Sequence, residues 1–300
     1  MRTTCYNKRK IREGREFCVK TLGYYNGKFD EIDRMMIPMN DRVCYFGDGI
    51  YEATICANGV IFSLEEHLDR LYNSAGLLSI KIPYTKAELS AVLTEMSAKV
   101  DAEVQFVYWQ ITRGTAPRNH TFPEKTPANL WITVTPQPMC DLSQKIRLIT
   151  VEDTRFLHCN IKTLNLLPSV MASQKAKQAG CDEAVFHRDG RVTECAHSNV
   201  SILKDGIFKT APTDHYILAG IARAHLIKAC KKLLIPVDET PFSLEELRDA
   251  DEIIVSSSSK FGLAAYELDG APVGGGDPER LHQLQEEVLE EFYQATGYRK

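Results

Sequence analysis

Two short stretches hold side chains of complementary chemistry. Lys162 lies in Asn160-Ile-Lys-Thr-Leu-Asn-Leu-Leu167, and Glu194 in Val192-Thr-Glu-Cys-Ala-His-Ser-Asn199. A lysine amine whose pKa is lowered by its site can add to a carbonyl and can carry a proton to or from carbon. A carboxylate set against a heterocyclic nitrogen keeps that nitrogen protonated and the ring electron-withdrawing. Each residue also has a plainer reading. A lysine in an apolar segment often snorkels to the surface, and a carboxylate beside a turn is usually solvated.

Other stretches supply the context. They are Phe46-Gly-Asp-Gly-Ile-Tyr-Glu52, Glu66-His-Leu-Asp-Arg-Leu-Tyr72, Thr112-Arg-Gly-Thr-Ala-Pro-Arg-Asn-His120, Gly180-Cys-Asp-Glu-Ala184 and Gly220-Ile-Ala-Arg223. With the Lys162 segment they occur in an order that resembles the fold-type IV pyridoxal-phosphate aminotransferases, and within them the D-amino acid (D-alanine type) branch. The resemblance runs from about Leu22 to beyond Ser259 and leaves roughly the first twenty residues outside. It implies a mixed α/β, two-domain fold and pyridoxal 5'-phosphate as cofactor.

The resemblance also implies roles. Lys162 would bind the cofactor and move the substrate's α-proton; Glu194 would pair with the pyridine nitrogen. The phosphate would meet Arg70 and the free N–H groups at Ile221 and Ala222, where a helix is expected to start after Gly220. Ser258, in the run Ser256-Ser-Ser-Ser259, would add a hydroxyl, with a slip of one residue left open. Leu218 would pack against the ring. Tyr51 would face the substrate side. Tyr108, Arg118 and His120 would form the trap for the substrate carboxylate, since a planar guanidinium gives a two-pronged fit. Arg118 and His120 would reach into a neighbouring subunit, so a homodimer with shared active sites is implied. One segment departs from the family: Cys195-Ala196-His197 stands where Gly and Ser are usual. Cys195 reads as a small buried residue, not a nucleophile. His197 has three outcomes open: an added hydrogen bond, a narrower pocket, or a side chain turned away. Pro168 fits a helix only in its first turn.

These groups need elements to position them. Alternation predicts strands over 44–51 and 51–56, an Asn58-Gly59 hairpin and a return strand over 60–62. Ser63-x-x-Glu66 and Thr85-x-x-Glu88 are capping-box patterns, each followed by apolar residues at helical spacing. Strands are predicted over 104–113, 130–135 and 146–151, and a helix near 164–180. Asp189-Gly190 and Asp205-Gly206 mark two further hairpins. A helix is predicted from 220 to about 234, another from Ser243-x-x-Glu246, a buried strand over 251–256, and a last helix from Asp277-Pro278. Thr135-Pro-Gln-Pro-Met-Cys-Asp141 suggests a linker. The expected division is an extension over 1–20, a smaller α/β domain over 21–136, a linker over 137–144 and a larger cofactor domain over 145–300. Strands joined by hairpins argue against a doubly wound nucleotide fold.

Composition narrows the class. A chain of 300 residues with 44% hydrophobic and 25% charged residues is globular in character, with room for a real core. A net charge of −4 gives no case for nucleic acid or membrane surfaces as partners. No apolar run is long enough for a membrane span, and the N-terminus has no apolar signal core. Nine cysteines without a C-x-x-C pair and eight histidines without metal spacing suggest a reduced, cytoplasmic protein with no metal site. The expectation is a ping-pong aminotransferase passing an amino group between a D-amino acid and a 2-oxo acid such as 2-oxoglutarate or pyruvate. The alternatives are an L-branched-chain aminotransferase, an aminodeoxychorismate lyase of the same fold, and a non-catalytic cofactor- or partner-binding member.

Overall fold

A computed structural model describes residues 20–299 of the chain. The extension expected over 1–20 lies, but for its last residue, outside the described residues. The first half folds as β1 (Leu22–Tyr25), β2 (Lys28–Glu31), α1 (Arg42–Phe46), β3 (Gly49–Ala57), β4 (Val60–Ile61), α2 (Leu64–Leu77), α3 (Lys86–Ser97), β5 (Val104–Thr112) and β6 (Asn129–Pro136). Its strands form an antiparallel six-stranded sheet in the order β2-β1-β6-β5-β3-β4. The central pair, β3 and β5, stays in register from Gly49↔Thr112 to Ala57↔Val104. Trp109 and Ile111 of β5 and Leu130, Ile132 and Val134 of β6 are fully buried in one core with Leu68 and Leu71 of α2 and Leu89 and Leu93 of α3.

Two local expectations need correcting. The strand predicted from Cys44 begins only at Gly49, because Arg42–Phe46 is a short helix. The Asp41 carboxylate caps it by accepting the Val43 N–H at 3.0 Å. Gly47, at φ +59°, ends it in a left-handed conformation that suits glycine best. The capping box expected at Ser63 does not form, although α2 does. Ser63 is itself left-handed, and its hydroxyl lies 3.1 Å from His225 Nε2 instead. The boxes at Thr85/Glu88 and Ser243/Glu246 are complete.

Residues 137–144 contain no helix or strand. The second half follows as β7 (Lys145–Glu152), α4 (Leu167–Gln178), β8 (Glu183–Arg188), β9 (Arg191–Cys195), β10 (Asn199–Lys204), β11 (Ile207–Thr210), α5 (Ile221–Lys232), β12 (Val237–Asp238), α6 (Leu244–Arg248), β13 (Glu252–Ser256), β14 (Leu263–Leu268), β15 (Ala271–Pro272) and α7 (Pro278–Thr296). A nine-stranded sheet runs β12-β11-β10-β13-β14-β7-β8-β9, with β15 beside β14. Here β7 is parallel to both neighbours, and α4 provides the crossover to β8. Pro168 sits in the first turn of α4, where a missing N–H leaves no helical bond unmade. Ile55, Ala57, Phe62 and Val104 of the first sheet region join the core of the second, so the two sheets meet through apolar contact. Among the described residues no helix is long and apolar enough to cross a membrane.

Leu148 tests how far the fold leans on this second core. It is fully buried on β7, opposite Glu183 of β8 and Leu268 of β14. Leu148→Ala should lower the unfolding free energy by about 2–5 kcal/mol. Urea unfolding should show the midpoint falling with an unchanged slope.

Candidate active site

The segment before α4 has no regular structure of its own and borrows an edge of β3. Tyr51 N–H donates to Lys162 O at 3.0 Å, Leu164 N–H to Gly49 O at 3.0 Å, and Asn165 Nδ2 to Gly47 O at 3.0 Å. Ile50 and Thr163 form a bridge. This pairing places the half-buried Lys162 beside Tyr51, with Nζ 4.2 Å from the ring centroid. Tyr51 stacks on Tyr108 with centroids 5.5 Å apart. The Tyr108 hydroxyl donates to Gln110 Oε1 at 2.7 Å, and burial followed by Tyr51 pushes its pKa upward.

Glu194 arrives from the other sheet, near the end of β9, and is buried. Its Oε1 accepts from Arg155 Nη1 at 2.5 Å; Oε2 accepts from Asn199 Nδ2 and from the Leu218 N–H, each at 3.0 Å. Burial pushes the Glu194 carboxyl up, while Arg155, the Leu218 N–H and Lys162 pull it back toward the charged form. Arg155 is fixed from behind by Asp153, at 2.9 Å through both Nε and Nη2, and by Tyr216 O at 3.1 Å.

The far end of the cleft is rich in donors. α5 starts at Gly220, so Ile221 and Ala222 present first-turn N–H groups and the positive end of the helix dipole. A Cβ on Gly220 would lie 1.8 Å from Asn199 Oδ1, so only glycine allows this approach. Arg70 is held by Glu52, with Nε and Nη2 each at 2.7 Å, and donates through Nη1 to Ala219 O at 3.0 Å. Each terminal nitrogen keeps a second N–H for a ligand. Glu52 also binds His67 Nδ1 at 2.7 Å, and His67 Nε2 lies 3.4 Å from Ser258 Oγ. The Ser256 hydroxyl lines the cleft, is buried, and has no hydrogen-bond partner among the described residues. An orphaned hydroxyl beside a helix N-terminus and an arginine fits an anionic group such as a phosphate.

Tyr51, Arg70, Lys162, Glu194, Leu218, Ile221, Ala222 and Ser258 thus line a single cleft. Tyr108 stands behind Tyr51 and does not line it. Arg118 and His120 do not line it either. They are exposed on the loop between β5 and β6, and both lie 5.3 Å from the Phe46 ring. That loop is tied down by Arg42, which donates to Asn119 O at 2.6 Å and to Asp48 at 2.7 Å. Arg113 shares Asp48 and stacks 3.6 Å from the Phe122 ring centroid. His197 lines the cleft and pairs with Glu183, so it is not turned away. Cys195 is buried and its thiol pKa is pushed well up by that burial, as expected of an inert residue.

Sequence reasoning assigned no role to Glu52, His67, Arg155 or Asn199. Glu52 had a usable signal. The two-residue period of β3 puts it on the same side as the buried Ile50 and Thr54, and an inward carboxylate needs a partner. His67, one turn before Leu71 on α2, faces the same way. Arg155 and Asn199 carried no pattern of their own.

Glu52 yields a pH test. Its carboxyl is desolvated by burial yet held by Arg70 and His67, and lies at about 2 against an ordinary 4.5. A depressed carboxyl contributes stability that is fully present above pH 4.5 and is lost as pH falls toward 2. Across that window the wild type should lose roughly 3 kcal/mol more than Glu52→Gln. Urea unfolding at a series of pH values measures this; parallel curves for the two proteins would contradict it.

Residues 49–265 match the amino-transferase class IV family. A D-alanine aminotransferase of Listeria monocytogenes is 40% identical, covering 91% of this chain and 96% of its own length. One from Staphylococcus aureus is 37% identical, covering 91% and 98%. A branched-chain amino acid aminotransferase from Escherichia coli shares the fold with a TM-score of 0.84 at 23% identity, over 94% of this chain and 96% of that one. With a family match from the start of β3 into β14, and relatives of this identity along nearly its whole length, the chain belongs to the class IV aminotransferases.

Proposed function

We propose that the chain transfers an amino group between a D-amino acid of the D-alanine type and a 2-oxo acid such as 2-oxoglutarate, using pyridoxal 5'-phosphate in a ping-pong cycle. The carrying observation is the meeting of Lys162 and Glu194 in one cleft whose far end holds Arg70, the α5 N-terminus and the serine run. The D-alanine aminotransferases at 37–40% identity favour the D-series. The branched-chain relative at 23% identity speaks to fold alone.

When bound, the cofactor supplies an electron sink for the bond between the α-carbon and its proton. Lys162 would bind its aldehyde carbon and, once released by substrate, carry the α-proton. Glu194 would keep the pyridine nitrogen protonated; Arg155, Asn199 and the Leu218 N–H hold the carboxylate still while it does so. Leu218 would pack against the ring. Arg70, Ile221, Ala222 and Ser258, with Ser256, would take the phosphate. Tyr51 and Tyr108 would wall the substrate side.

We further propose a cytoplasmic homodimer in which Arg118 and His120 bind the substrate carboxylate in the neighbour's site. Their exposure outside their own cleft supports this. So do Phe156, Leu157, Leu167, Val170 and Met171, large apolar side chains exposed along the rim and the start of α4. The lobes themselves are proposed to divide at 137–144, giving 21–136 and 145–300.

Two experiments test these readings. Cofactor-loaded protein should lose its visible absorbance band with D-alanine and keep it with L-leucine; the reverse would move the assignment to the L-branched-chain class. Requirement for a 2-oxo acid acceptor excludes the lyase. Mixing Lys162→Ala and Arg118→Leu chains, each inactive alone, should restore about a quarter of wild-type activity, because mixed dimers carry one intact site. No recovery would mean that sites are not shared.

A further inference from the structure

The turn between β9 and β10 puts into the cleft a basic side chain that the transfer chemistry does not use. His197 lines the cleft, and 56% of its side chain is exposed. It is nevertheless anchored. Its Nδ1 pairs with Oε2 of Glu183, a fully buried carboxylate at the first residue of β8. The same carboxylate accepts from Ser198 Oγ at 3.1 Å and from the Ala184 N–H at 3.1 Å, with Lys260 Nζ 3.8 Å away. A buried charge this well supplied with donors is a fixed feature of the wall.

The ring nitrogens of an imidazole lie on different edges. With Nδ1 committed to the buried Glu183, the exposed edge carrying Nε2 is left to the cleft. The other basic groups there are engaged: Arg70 by Glu52, Arg155 by Asp153 and Glu194, and Lys162 at the reacting centre. His158 also lines the cleft, but it lies against the Phe156 ring, with centroids 5.9 Å apart, and no carboxylate among the described residues pairs with it. In its doubly protonated form His197 donates from both nitrogens, so Nε2 is then a preorganised donor on an uncommitted edge, and its immobilisation is already supplied by the fold.

We propose that His197, clamped by Glu183, selects substrates with a second carboxylate. These are D-glutamate- and D-aspartate-type donors and the corresponding 2-oxo dicarboxylates. This rests on the aminotransferase reading above and adds to it the recognition of the substrate side chain. His197 acts on the substrate directly; Glu183 is a positioning residue.

The test compares kcat/KM for D-glutamate and D-alanine in wild type, His197→Ala, His197→Lys and Glu183→Gln. A charge-assisted hydrogen bond predicts that the D-glutamate to D-alanine ratio falls about 10- to 100-fold in His197→Ala. The ratio should recover in part in His197→Lys and fall less in Glu183→Gln, with the change carried mainly by KM. A ratio that does not move in His197→Ala overturns the proposal. Calorimetric titration with glutarate and with butyrate gives a readout without turnover. Wild type should prefer glutarate, and His197→Ala should not. Turnover of D-alanine without a glutarate preference would leave the aminotransferase reading standing and remove this one. A His197-dependent glutarate preference without any D-amino acid turnover would keep His197 as a carboxylate-binding group and overturn the D-amino acid reading together with the donor selection that rests on it.

Discussion

A short run of backbone pairing holds the site together. Residues 162–165 have no strand or helix of their own, yet they bond to Gly47, Gly49 and Tyr51 at the start of β3. This edge contact brings the lysine of the second half against the tyrosines of the first. The nine-residue β3 in turn takes its position from β5, so the location of one amine depends on the register of a whole sheet. A one-residue slip would turn Tyr51 to the opposite face and carry Glu52 out of reach of Arg70.

Buried charge is the second constraint. Glu52, Asp153, Glu183 and Glu194 are all buried, and each is matched by cationic donors, Asp153 by the nearby Arg155 and by Arg188 and the others from further along the chain. Compared with well-packed apolar side chains such pairs add little net stability, because desolvation offsets most of the attraction, although breaking one leaves a buried charge unpaired at a large cost. What they supply is position. Arg70 and Arg155 are long side chains with many rotamers and His197 is largely exposed, and each is restricted by a buried carboxylate. The result is a cleft whose polar groups are oriented before any ligand enters.

Much of the fold was legible because local rules and tertiary packing agreed. Asn58-Gly59, Asp189-Gly190 and Asp205-Gly206 turn hairpins as their chemistry requires. Thr85 and Ser243 cap helices with complete boxes. Where two local signals competed, the reading failed. Residues 44–51 read as a strand by alternation, but Asp41 and Gly47 bracket Arg42–Phe46 as a helical turn. Ser63 matches a capping box by pattern, but His225, far along the chain, takes its hydroxyl.

The sequence by itself determined the set of reactive groups. A lysine, a carboxylate, a glycine-led helix start and a serine run are properties of residue type and order, and their motifs lie along one dimension. Only the tertiary structure decided what surrounds each group. Arg155 and Asn199 reach Glu194 from different segments, Glu52 meets Arg70 across a strand–helix contact, and Glu183 fixes His197 from beneath the cleft wall. Hydrogen bonds and ion pairs act over a few ångströms in space and are blind to separation along the chain. The partners of a buried charge are therefore set by packing, which a linear pattern does not encode.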